Sequence, residues 1–194
     1  MSRKVRLHIP SSDTVEKELK RENYRVKYRS VLKSTVYTLI VVAAIAVLVA
    51  TLVLPVLQIS GESMEPSLSN GEIVVLVKTK KFERGDLCAF YYSNKILIKR
   101  VIGLGGDYIY IDEEGTVYVN NEPIDEPYLT EKAFGECDLE FPYQVPEEQL
   151  FVLGDKRESS IDSRSTVIGC IAREDILGRI FLRVWPIKKI TVID

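Results

Sequence analysis

No charged residue occurs between Lys33 and Glu62, and no other stretch of the chain constrains its fold as strongly. The core of this stretch, Val36 to Leu57, reads VYTLIVVAAIAVLVATLVLPVL, 22 residues. As a helix it would span roughly 33 Å at ~1.5 Å per residue, enough to cross a hydrocarbon layer of ~30 Å. A cleaved signal sequence would carry an apolar region of only ~7–15 residues behind a much shorter basic stretch. The buried helix of a soluble domain shows an apolar stripe, whereas this one is apolar all round. The reading is a single transmembrane anchor at residues 34–57, behind a basic tail at residues 1–33.

Charge orients that anchor. Residues 1–33 hold ten Lys/Arg against four Asp/Glu, a balance of +6, whereas residues 34–194 hold sixteen against twenty-four, a balance of −8. Basic residues before the span and Glu62 and Glu65 after it place the N-terminus in the cytoplasm. Residues 58–194 then lie outside the cytoplasmic membrane, in contact with the lipid bilayer only through the anchor. The tail reads as a topology signal that could form a charged surface helix. A net charge of −2 leaves no basic excess for binding nucleic acid.

Beyond the span, apolar residues come in short runs separated by turn signals. EIVVLV (72–77) follows Asn70-Gly71, and LCAFYY (87–92) joins KILIKRVI (95–102) through Ser93-Asn94, a two-residue hairpin. YIYI (108–111), TVYVN (116–120), LFVL (150–153) and GRIFLRVW (178–185) follow, with no helical period among them. Residues 130–149 read as an irregular excursion. The expected fold class is all-β: an antiparallel-sheet catalytic domain of about 135 residues behind one helix. The glycines of GLGGD (103–107) lack the strand–loop–helix setting of a phosphate-binding loop.

The chemistry available is narrow. The single histidine, His8, lies in the tail, and Cys88, Cys137 and Cys170 lack the spacing of a metal site or a disulfide framework. No metal and no cofactor are expected. Ser63 follows Leu57 by six residues, so it lies within ~20 Å of the end of the span. A serine nucleophile needs a base, and lysine is the remaining candidate. Lys99 sits in ILIKRVIG, where strand alternation groups it with Leu97 and Val101, and burial there would favour the neutral amine. The pattern alone leaves two bland readings open: Ser63 as a turn or cap residue, and Lys99 at a solvent-facing strand edge. Likewise GDKRESSIDSR (154–164) reads either as a solvated loop with surface ion pairs or as a brace for a site.

These blocks, in this order behind an anchor, resemble the bacterial type I signal peptidases, membrane-bound Ser–Lys proteases that remove signal peptides from exported preproteins. SMEPSL (63–68), GDLCAF (85–90), KRVIGLGGD (99–107), VYVNNEPIDEPY (117–128), GDKRESSIDSR (154–164) and GRIFLRVWPIKKI (178–190) carry the resemblance, which covers nearly all of residues 34–194. It implies Ser63 as nucleophile, Lys99 as general base and Ser160 as the serine that orients that lysine. It implies Asp162 and Arg164 as a structural ion pair, with Asp155 and Arg157 in the same block. It also implies cleavage at Ala-X-Ala-like sites without metal or cofactor. Two positions depart from the family pattern. Lys156 stands where the family usually has Asn, a position that reads as peripheral. Gly61 stands where some members carry a hydroxyl that helps hold the oxyanion. Ser–His relatives of the secretory reticulum are excluded by Lys99. A self-cleaving repressor-type protease would need a DNA-binding module, and a silent membrane adaptor would not need both Ser63 and Lys99.

Overall fold

The computed structural model describes residues 12–193. They divide into two compact units between Ala50 and Thr51. His8 lies outside the described residues.

The first unit is a helix, α1, Ser12–Val53, whose last three residues belong to the second unit. Its polar half is held by pairs one turn apart, Asp13 with Lys17 at 3.3 Å and Glu16 with Lys20 at 2.7 Å. In the apolar half, Thr35 and Thr38 donate their hydroxyls to the carbonyls of Val31 and Ser34, both at 2.9 Å. Such back-bonding hides hydroxyls that a hydrocarbon layer could not satisfy. Among the described residues this is one helix long and apolar enough to cross a membrane, with a mean hydropathy of 2.2 in its most apolar window. From Ser12 onward the tail runs into the span as one continuous helix with no break at residue 33. The helix also ends earlier than the expected span. Pro55 cannot continue it, and Val56 and Leu57 belong instead to a strand.

The second unit holds twelve strands among the described residues, all pairing antiparallel. The larger sheet contains β1 (Val56–Gln58), β2 (Ile73–Val77), β3 (Leu87–Tyr92), β4 (Lys95–Leu104), β9 (Gln149–Leu153), β10 (Ile171–Ala172), β11 (Ile176–Trp185) and β12 (Thr191–Val192). Its order is β1-β2-β11-β3-β4-β9-β10, with β12 also on β11. The smaller sheet, ordered β7-β6-β5-β8, contains β5 (Tyr108–Ile111), β6 (Val117–Val119), β7 (Glu122–Pro123) and β8 (Tyr143–Gln144). The β3–β4 hairpin turns at Ser93 and Asn94, with φ of 41° and 66°, as a two-residue loop requires. Asn120 and Asn121, at 54° and 69°, close β6 onto β7 in the same way. The 103–107 glycines lead from β4 into a strand, not a helix.

Three apolar clusters fill the unit. Ile59, Met64, Leu68, Val74, Leu76, Leu87, Ala89 and Ile180 form one. Ile109 and Ile111 of β5 point inward with Val117, Val119 and Phe151 in a second, leaving Tyr108 and Tyr110 outside. Cys88, Phe90, Val101, Leu150 and Val152 form the third, with Leu97 packed against it. All three cysteines are unpaired, Cys88 fully buried and Cys137 and Cys170 half-buried.

Candidate active site

Ser63 sits in a tight turn shaped by its neighbours. Met64 and Leu68 are both buried in the first cluster, and the Leu68 N–H donates to the Met64 carbonyl at 2.8 Å. Anchoring these two leaves Ser63 half-buried at the wall of a cavity of about 320 Å³. Ile59, Gly61, Met64, Ile96, Ile98 and Lys99 line the same cavity. Gly61 adopts φ +102° and gives its N–H to Asn70 Oδ1 at 3.2 Å. That conformation strains any side chain, so the turn excludes a hydroxyl residue at 61 for a backbone reason.

Lys99 lies mid-strand in β4, opposite Cys88 of β3, with 3% of its surface exposed. Alternation puts it with Leu97 and Val101 on the face of the third cluster. Its Nζ donates to Ser160 Oγ at 2.8 Å. Burial pushes the amine down from its ordinary 10.5 to about 8, against the opposing pull of Asp162 and Asp155 and with a push from Arg164. At pH 7 roughly one such lysine in ten is neutral, against roughly one in three thousand for an exposed one. The cavity that Ser63 lines therefore has a usable proton acceptor in its wall.

The 154–164 loop is a brace with buried members. Asp162 accepts the Gly154 N–H at 2.9 Å and binds Arg164 through Nε at 2.8 Å and Nη2 at 2.9 Å. Arg164 also donates to the carbonyls of Arg157 at 2.8 Å and Ser160 at 3.3 Å, so it fixes the backbone that carries Ser160. Asp155 does not pair within its own block. It takes both arms of Arg100, at 2.9 and 2.7 Å, and Arg100 reaches on to Ser67 Oγ at 2.9 Å and lies 3.8 Å over the Tyr128 ring. Arg157 pairs with the buried Glu126.

Four residues of this arrangement escape the sequence reading. Arg100 follows Lys99, and alternation turns it to the opposite face; that adjacency was the available signal. Glu126 gave no local sign. Gly154 is needed because a Cβ there would overlap Ser160 Oγ and lie 2.5 Å from Ser160 Cβ and 2.8 Å from the Ser63 carbonyl oxygen. Lys156 is not peripheral: its N–H donates to the Ser63 carbonyl at 3.1 Å, and its Nζ pairs with Glu62 at 2.8 Å and Glu65 at 3.3 Å. Among the described residues no group of His, Cys, Asp and Glu is arranged to hold a metal ion.

The chain matches the family described as "Signal peptidase, peptidase S26" over residues 32–185. It is 33% identical over 165 residues to a probable signal peptidase I-2 of Synechocystis sp., covering 79% of this chain and 73% of that protein. To a signal peptidase I of Bacillus amyloliquefaciens it is 28% identical over 183 residues, covering 89% and 98%. To signal peptidase IB of Staphylococcus aureus it is 35% identical over 151 residues, covering 68% and 78%. Anchor-like helix, antiparallel sheets and a serine–lysine cavity thus coincide with a match over most of the chain. The chain belongs to the signal peptidase family, peptidase S26, the serine endopeptidases that cleave signal peptides.

Proposed function

We propose that the protein is a membrane-bound signal peptidase that cuts exported preproteins at Ala-X-Ala-like sites with a Ser63–Lys99 dyad. The observation that carries this reading is a buried lysine, its pKa pushed down to about 8, lining one cavity with a half-buried serine. Neutral Lys99 takes the Ser63 proton as Oγ attacks the carbonyl carbon before the cut. The Ser63 N–H faces the developing oxyanion. The tetrahedral intermediate collapses to an acyl-enzyme as Lys99 returns the proton to the leaving amine, and water deprotonated by Lys99 then releases the signal peptide. Ser160 orients the amine by accepting one of its N–H bonds, so that the lone pair is free for Ser63. Asp162, Arg164 and Asp155 hold the loop and strand that carry these groups.

Apolar walls from Ile59, Met64, Ile96 and Ile98 favour small apolar side chains before the cut. The anchor holds the dyad near a bilayer in which the substrate's apolar segment is also embedded, which favours cleavage by proximity. The cytoplasmic tail and exported catalytic domain follow from the charge asymmetry. No nucleic acid, metal or cofactor takes part. Turnover of a preprotein by the full chain in detergent, compared with Ser63→Ala and Lys99→Arg, tests the dyad. Both variants should be inactive, Ser63→Ala because it has no nucleophile and Lys99→Arg because guanidinium stays protonated where the amine does not. Substantial turnover by Lys99→Arg removes Lys99 from the mechanism.

A further inference from the structure

Lys156 grips the turn of Ser63 with both main chain and side chain. Its N–H donates to the Ser63 carbonyl at 3.1 Å, and its Nζ reaches Glu62 Oε2 at 2.8 Å and Glu65 Oε2 at 3.3 Å. Its carbonyl accepts the N–H groups of Ser160 at 3.1 Å and Ser159 at 3.3 Å. A continuous path therefore runs from the Ser63 backbone through Lys156 and Ser160 to Lys99 Nζ. We infer that Lys156 is a positioning residue whose ion pairs with Glu62 and Glu65 fix the serine turn against the loop that orients Lys99. The inference rests on Ser63 being the nucleophile.

Physical chemistry separates this role from ordinary stabilisation. The Lys156 side chain is 40% exposed and those of its partners 66% and 38%, so solvent and salt screen both pairs and they add little to folding. Attack geometry is more demanding, because small displacements of a reacting atom cost rate. Without the cation, the two carboxylates that share it lose their common partner and repel each other, which pulls on the turn between them. The Lys156 contact, through its hydrogen bond first and its charge second, holds the Glu62 carboxyl below the usual range. Glu62 is thus ionised and paired with Lys156 wherever Lys99 is neutral enough to work.

The test measures kcat, KM and melting temperature for the full chain in detergent with a preprotein substrate. The variants are Lys156→Met, Lys156→Arg, the Glu62→Gln/Glu65→Gln pair, all three neutralising changes together, and Ser63→Ala. Lys156→Met should lower kcat roughly three- to tenfold, with KM and melting temperature unchanged. Lys156→Arg should restore most of the rate. Lys156→Met should cost nothing further once both acids are neutral. Salt at about 1 M should bring the wild-type rate down to that of Lys156→Met and leave that variant unaffected. Wild-type kcat in Lys156→Met beside an inactive Ser63→Ala overturns the inference alone. So does a kcat loss that tracks a falling melting temperature, or one that Lys156→Arg does not rescue. An active Ser63→Ala is a different failure, that of the nucleophile reading itself.

Discussion

Replacing Lys99 by Met should abolish turnover and yet stabilise the protein at neutral pH. With 3% of its surface exposed, the amine is held at about 8 instead of 10.5. At 1.36 kcal/mol per tenfold change, the buried charge costs about 3 kcal/mol of stability. Below pH 8 the lysine is protonated in both folded and unfolded chains, so the whole penalty is present. Between pH 8 and 10.5 the folded protein sheds its proton first, and stability rises with pH until the penalty is gone. Met is close to Lys in shape and carries no charge, but it leaves the Ser160 hydroxyl without one partner, at about 0.5–1.5 kcal/mol. The net gain is about 2 kcal/mol at pH 7, or roughly 4–8 °C in melting temperature for a domain of this size. Thermal melts of both full chains in detergent, from pH 7 to pH 10, read the difference directly. It should shrink steadily toward the alkaline end, while wild-type kcat/KM rises through about pH 8. A Met variant that melts at or below the wild type at pH 7, or a gap indifferent to pH, would refute the burial argument.

Other outcomes are equally specific. Ser160→Ala should lose between several-fold and some hundreds-fold in rate, whereas the exposed Ser159→Ala should lose little; equal losses would mean the orienting serine is misassigned. Gly154→Ala should lose at least about tenfold in kcat and about 1–3 kcal/mol of stability, because its methyl group displaces Ser160 and the Ser63 carbonyl together; normal turnover would show that the two loops can part freely. Protease added outside sealed right-side-out vesicles should digest the catalytic domain and spare the tail, and full protection of the domain would reverse the orientation.

The strands that could be read were those whose turns or alternation announced them. Ser93-Asn94 gave the β3–β4 hairpin, and YIYI alternates as it packs, Ile inward and Tyr outward. Asn120-Asn121 was an equally good turn signal left unread, and it closes the two-residue β7. β8, β10 and β12 are also two residues long, too short for any period to show. Val56 and Leu57 misled for another reason. Hydropathy continues past Val53, but Pro55 stops the helix and β2 offers the next residues a partner. At the site, motif order singled out Ser63, Lys99 and Ser160, which the structure gathers round one cavity and one hydrogen bond. The groups that position them could not, because Arg100–Asp155 and Arg157–Glu126 join residues far apart in sequence. Lys156 looked peripheral because sequence shows a side chain's type but not the backbone bond its residue makes.

The three unpaired cysteines give the catalytic unit an unusual independence for a domain proposed to work outside the cytoplasm. No covalent staple joins its sheets, so its folding needs no oxidant and no disulfide exchange. Burial pushes the Cys88 thiol up to about 12, which leaves almost no thiolate to react with peroxide, alkylating agents or another thiol. Cys170 is also raised, to about 11. Neither Cys88 nor Cys170 therefore offers a thiolate that responds to the redox potential around it. It can take shape in a reducing cell extract and serve in an oxidising medium without rearranging a bond.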